Sequence, residues 1–101
     1  MVIEYLKFFV SPELREEFIE KDREIWSPPL KNYPGFISKE VWINPEIAEE
    51  IIIIVRWQSR EQWKAIPIET IDATERKFAA SLGENKYKLL ESKEYQLRKF
   101  P

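Results

Sequence analysis

Between positions 50 and 57 the chain reads E-I-I-I-I-V-R-W, with five β-branched apolar residues in succession. Such side chains are stiff about χ1 and suit a pleated strand. The run is far short of the roughly 20 apolar residues of a membrane span. It does not alternate with polar residues, so the strand it predicts has both faces covered. Residues 2–10 predict a first strand. Val2, Leu6, Phe8 and Val10 share one parity, interrupted by Glu4, while Ile3, Tyr5 and Phe9 share the other, interrupted by Lys7. Residues 36–43 predict another strand, and residues 87–100 a last one, clearest over 89–97. Asn44-Pro45-Glu46 separates the two middle strands so narrowly that a hairpin is expected.

Two stretches change period. Ser11-Pro12-Glu13 predicts a helix start, with Ser at the N-cap, Pro at the first helical position and an acid in the first turn. The helix runs to about Trp26, where Pro28-Pro29 stops it, and residues 27–35 read as a Pro-rich loop closing on the turn Tyr33-Pro34-Gly35. Ser59-Arg60-Glu61-Gln62 is a capping box, with Gln62 expected to reach back to the Ser59 backbone, and the short helical turn it starts ends at Ile66-Pro67. A longer helix is predicted over 68–82, with Gly83 as its left-handed stop.

The order strand, helix, strand, strand, helix, strand predicts an α+β fold: ferredoxin-like βαββαβ, an antiparallel four-stranded sheet with two helices on one face. Two helices cover only one face of that sheet. The other would expose two or three side chains of the 51–55 run and those of the first strand, each worth about 1.5–3 kcal/mol when covered. A homodimer through the sheet faces is therefore expected.

Composition narrows the chemistry. One domain spanning residues 1–101 is expected, since a chain of 101 residues is long enough for one compact domain and not two. The net charge is −2 and the basic residues are interleaved with acidic ones, so no nucleic-acid partner is expected. No membrane association, signal peptide or basic leader is read from the sequence either, and a cytoplasmic location is the expectation. With neither cysteine nor histidine, there is no thiolate nucleophile, no Ser-His pair and no imidazole ligand for haem or zinc. Any general acid or base must be a carboxylate, a lysine or a tyrosine. Glu46, Glu49 and Glu50 lack a metal-ligand spacing, so neither a metal nor a cofactor is expected.

Two carboxylates stand out. At 100° per residue, Asp22 falls at about 80° on the first helix, between Phe18 at about 40° and Trp26 at about 120°. Glu75 falls at about 340° on the long helix, between Leu82 at about 320° and Ala79 at about 20°. An ionised carboxylate inside an apolar stripe needs a partner or a polar cavity. Asp22 and Glu75 are therefore the candidate catalytic groups, the structural alternatives being internal ion pairs with Arg15, Arg56 or a lysine, or snorkelling at the end of the stripe. Trp26 lies one helical turn from Asp22. Trp26, Tyr5, Arg56 and Trp57 are the candidate ligand-binding residues, against the alternative that the aromatics simply pack core and interface.

The element order, Pro34-Gly35-Phe36 before the second strand and Arg56-Trp57-Gln58-Ser59-Arg60-Glu61-Gln62-Trp63 after the third resemble the dimeric α+β barrel superfamily. Within it the chain is most similar to the antibiotic-biosynthesis-monooxygenase-like proteins. It also resembles, over essentially its whole length, a family of small proteins without assigned function known mostly from cyanobacteria. That likeness rests on Leu6-Lys7-Phe8, Pro12-Glu13-Leu14-Arg15-Glu16, Glu24-Ile25-Trp26, Lys39-Glu40-Val41-Trp42 and Gln62-Trp63-Lys64-Ala65-Ile66-Pro67. The resemblance implies two four-stranded sheets forming a barrel in a dimer, with any pocket between each sheet and its helices. Some members are cofactor-independent oxygenases of activated aromatic substrates. The haem-degrading members rely on a histidine ligand, which this chain lacks. Two functions from different classes stay open: a small-molecule-binding protein or monooxygenase-like enzyme, and a non-catalytic dimeric interaction module without a ligand.

Overall fold

The isoleucine-rich strand lies inside the sheet, as its unbroken apolar run requires. The computed structural model describes residues 1–99. It places β1 at Val2–Val10, α1 at Arg15–Ile25 after a 3-10 turn over Pro12–Leu14, and α2 at Ser27–Leu30. There follow β2 at Phe36–Asn44, β3 at Ile47–Trp57, α3 at Arg60–Lys64, α4 at Ile68–Leu82 and β4 at Tyr87–Gln96. The strands run in the order β2-β3-β1-β4, and every neighbouring pair is antiparallel. This is the expected ferredoxin-like α+β arrangement. Among the described residues no helix is long and apolar enough to cross a membrane.

Register separates the two faces. Leu6 lies opposite Ile53 and Phe8 opposite Ile51. These side chains join Val10, Val55 and Trp57 against Phe18 of α1, Leu30 of α2 and Phe78 and Leu82 of α4. Phe18 is the hub: its ring centroid is 5.2 Å from that of Phe8, 5.3 Å from Phe78 and 5.9 Å from Tyr87. Odd positions of β1 face away from the helices. There Tyr5 lies opposite Ile54, and Lys7 opposite Ile52.

Several local expectations are corrected. The segment predicted as a loop contains α2, because Pro28 and Pro29 occupy its first turn, where a missing N–H breaks no helical bond. Leu30 then buries against the core. Ser11 makes no side-chain cap, and its hydroxyl instead holds the Glu13 carboxyl below its usual range. Ser59 does cap α3, accepting from the Gln62 N–H at 3.2 Å, but the Gln62 side chain meets the Ser59 hydroxyl and not its backbone. Gly83 ends α4 at φ 115°, ψ 124°, a positive-φ conformation outside the left-handed helical region. β3 starts earlier than predicted, at Ile47, and β4 ends at Gln96, while Phe100 lies outside the described residues.

The outward face also differs from the expectation of bare isoleucines. Ile54 is only 2% exposed within this one chain, with Tyr5 and Glu40 directly opposite it on the flanking strands. Three ion pairs lie on that face: Lys7–Glu50, Arg56–Glu40 and Lys93–Glu91. Exposed apolar groups there are Phe9 of the first strand, as expected, with Trp42 and Tyr95, each 44–49% exposed.

Candidate functional site

A cavity of about 430 Å³ opens between the sheet and the helices. Its floor is Leu6, Phe8, Ile53 and Val55 of β1 and β3; α1 contributes Phe18, the joint between α1 and α2 contributes Trp26, α3 contributes Trp63, and Ile71 and Phe78 of α4 close the other side. The walls are mostly apolar and aromatic, as small-molecule sites usually are. The polar groups on them are few: Glu4, Asp22, Lys39, Asp72, Glu75 and Tyr87.

Asp22 is buried at 4% exposure, and Lys39 Nζ lies 2.5 Å from its Oδ2. The same ammonium donates to Ser27 Oγ at 3.1 Å, so one lysine of β2 ties α1 to α2. Burial raises the Asp22 carboxyl above its usual range, and the pull of Lys39 offsets this only in part. Lys39 faces inward because β2 carries a bulge between Phe36 and Ser38. Simple alternation from Phe36 would have turned Ser38 inward and Lys39 outward. The expected structural alternative for Asp22, pairing with a lysine, is therefore present, and an open cavity adjoins the pair. A second cavity lies on the far side, lined by Asp22 and Lys39 together with Arg23, Ser27, Lys31 and Ser38. The ion pair is a wall common to both.

Glu4 is not among the candidate groups named from the sequence, although the sequence carries a signal for it. It is the one acid on the inward parity of β1, the strand counterpart of an acid inside a helical stripe. The indole N–H of Trp57, fully buried, donates to Glu4 Oε1 at 3.1 Å. Burial pushes the Glu4 carboxyl up, against the Trp57 hydrogen bond and the more distant Lys64 and Lys39. Glu75 sits otherwise than its stripe predicts: it is exposed at the cavity rim and its Oε1 accepts from the Tyr87 hydroxyl at 2.5 Å. Burial and this carboxylate both raise the Tyr87 phenol.

Of the ligand-binding candidates, Trp26 and Trp57 line the cavity. Tyr5 and Arg56 lie on the opposite sheet face. The Tyr5 ring meets Tyr95 edge-on at 6.0 Å, and Arg56 pairs with Glu40. Among the described residues no three acidic side chains converge as metal ligands, and the Glu50 oxygens are engaged by Lys7 and Asn44.

Residues 1–66 match the model of the antibiotic biosynthesis monooxygenase family. No curated protein sequence matches the chain. Among solved structures, a monooxygenase from the gene ActVA-Orf6 of Streptomyces coelicolor, in complex with nanaomycin D, superposes with a TM-score of 0.75 at 15% identity, covering 99% of this chain and 89% of that one. SnoaB from Streptomyces nogalater, a cofactor-independent oxygenase, gives 0.65 at 14% identity, covering 98% and 94%. A candidate antibiotic biosynthesis monooxygenase from Chloroflexus aurantiacus gives 0.69 at 23%, covering 99% and 95%. At these identities the likeness is one of fold.

Proposed function

Because the chain belongs to the antibiotic biosynthesis monooxygenase family, we propose that it binds a flat small molecule between its sheet and its helices, as a single domain. The observation that carries this is the cavity itself, open, walled by aromatic rings, and holding a partly buried carboxyl at Glu4. In its catalytic form the reading is cofactor-independent oxygenation, the description carried by the SnoaB neighbour. In such a reaction an activated ring CH2 becomes C=O, one oxygen atom of dioxygen enters the product and the other leaves as water, with all four electrons coming from the substrate. The chain would supply a base for the ring C–H, and Glu4 is the best placed. Its raised proton affinity suits that task, and Trp57 fixes one of its oxygens. Asp22, held by Lys39, is the positioning wall beside it.

The same proposal includes a homodimer through the outward sheet faces. Phe9, Trp42 and Tyr95 support it as exposed apolar groups on that face. The second reading, a non-catalytic dimeric module, is favoured by one observation: Asp22 already has the partner that a purely structural acid needs.

Titration with nanaomycin D, the ligand of the Streptomyces coelicolor neighbour, followed by tryptophan fluorescence, tests the binding reading. A saturable change is expected from Trp26, Trp57 and Trp63, and Ile71→Trp, which fills the cavity from α4, should abolish it. Dioxygen uptake on adding an anthrone tests the catalytic form. Neither saturation nor uptake, with no small molecule retained in the native mass spectrum of the purified protein, would leave the module reading standing.

A further inference from the structure

The charges on the main cavity are lopsided. Four carboxylates line it, from Glu4, Asp22, Asp72 and Glu75, against the single ammonium of Lys39. That ammonium is already bound to Asp22 and Ser27. Lys64, just outside, lies over the Trp63 ring at 3.9 Å from its centroid and weakly stabilises the Glu4 carboxylate. With Lys64 included, the site still keeps a formal excess of two negative charges. Aromatic side chains, among them Trp26, Trp57, Trp63 and Tyr87, share the rest of its lining with phenylalanine and aliphatic groups. Indole and phenol faces attract cations and repel anions.

Resting on the reading of this cavity as a ligand site, we propose that it selects a ring-bearing ligand with a protonated amine, and rejects carboxylates and phosphates. Two features carry this together. The aromatic walls provide π surfaces that favour a cation once it is desolvated. Glu4, half-buried, and Asp72 and Glu75, exposed at the rim, line the same cavity as those rings. An anionic ligand would meet carboxylates in a low-dielectric space with no uncommitted cation on the walls, which is unfavourable. A cationic one would relieve the mutual repulsion of the acids. It would also offset the negative charge created when a base removes a proton from the ring. Glu75 keeps one oxygen beyond its bond to Tyr87, and Glu4 one beyond its bond to Trp57. Both therefore retain acceptor capacity toward an ammonium.

Three probes with the same ring separate charge from shape: 2-naphthylmethylamine, 2-naphthalenemethanol and 2-naphthoate, titrated by calorimetry at pH 7 and low salt. The amine is expected to bind at least tenfold more tightly than the alcohol, and the carboxylate most weakly. Glu4→Gln and Glu75→Gln should each narrow the amine-to-alcohol ratio at least threefold, and both keep the acceptor oxygen used by Trp57 or Tyr87. If the alcohol or carboxylate binds as tightly as the amine, charge selection is wrong while the cavity remains a ligand site. If neither substitution moves the ratio, the acids do not select and the proposal falls. If none of the three probes binds, this inference fails, and the ligand reading is decided separately by the nanaomycin D titration.

Discussion

Asp22 and Lys39 place opposite charges where water barely reaches, with side chains 5% and 9% exposed. Such a pair resists removal of one partner more than removal of both. Lys39→Met should cost about 3–5 kcal/mol in urea unfolding, because it strands the Asp22 carboxylate. Lys39→Met with Asp22→Leu should recover most of that loss, and a double variant no better than the single one would show that the pair is not the source of the cost. Glu4 sets a pH dependence. Its folded-state carboxyl is raised above the unfolded value, so its contribution is most favourable below that value, near pH 4.5, and is lost as pH rises through the folded one. Asp22 acts in the same direction, from a lower starting value. Glu4→Gln keeps an acceptor for Trp57 and removes the titration. Its stability relative to the native chain should therefore rise from pH 4 to pH 8, and a flat difference across that range would be evidence against a buried, perturbed Glu4. Asp22 stood out because its helical stripe has a clear period. Glu4 carried an equal signal but in a strand with both faces apolar, where a single acid on one parity is easy to pass over. Lys39 was hidden by a bulge, since no pattern in F-I-S-K-E-V-W-I marks the extra residue that turns it inward.

The elements themselves were legible, because each combines a period with a stop: Pro28-Pro29 after α1, Asn44-Pro45 between β2 and β3, and Gly83 after α4. Less legible were the places where two weak signals compete. The Pro pair that ends α1 also starts α2, and Glu75, close to the apolar stripe on a helical wheel, lies at the rim because the cavity, not a packed core, faces that part of α4. One corner ties an element directly to the site. Gly35 sits at φ 88°, its carbonyl accepts from the Gln58 N–H at 2.7 Å, and a Cβ there would fall 2.4 Å from Gln62 Oε1 and 2.7 Å from its Cβ. Only glycine adopts this φ freely while letting α3 pack against the start of β2. Gly35→Ala should cost about 1–3 kcal/mol through the strained φ and the clash. It should also push Gln62 away, and with it Trp63 on the next position of α3, so the Trp63 contribution to fluorescence should shift toward that of exposed indole. Adding Gln62→Ala removes the Oε1 contact but neither the 2.7 Å contact with the Cβ it retains nor the φ strain, so it should recover only part of the stability. Full recovery would mean that the backbone at position 35 carries no strain.

At the scale of the whole molecule, the isoleucine run required cover on both faces, and the structure divides that requirement. Ile51, Ile53 and Val55 lie under the helices, Ile54 is covered by its own neighbours, and Ile52 is half-buried. The argument for a partner therefore shifts from the run itself to Phe9, Trp42 and Tyr95, distributed over β1, β2 and β4 on the outward face. Two charged pairs close within the chain on this face, Lys7 with Glu50 and Arg56 with Glu40. A second copy could then be met without leaving those charges unpaired, which removes the main obstacle to burying such a face. Trp42 has a further role. Its indole N–H donates to Glu40 at 2.9 Å, and Glu40 also holds Arg56, so the ring is fixed before association and loses little freedom on burial. These features favour Trp42 as an anchor of the proposed dimer. The native chain should sediment at micromolar concentration with twice its 12.2 kDa mass. Trp42→Lys, which puts a charge on that surface, should raise the dimer dissociation constant by about 30-fold or more, the effect of losing an interface anchor worth at least 2 kcal/mol. Its helix-facing side is untouched, so binding of a small molecule in the cavity should survive in the monomer. If ligand binding and dimerisation were lost together, the cavity would depend on the partner copy. A native chain that sediments as a monomer would mean that the exposed apolar groups of this face are tolerated in water, and the proposed barrel would be absent.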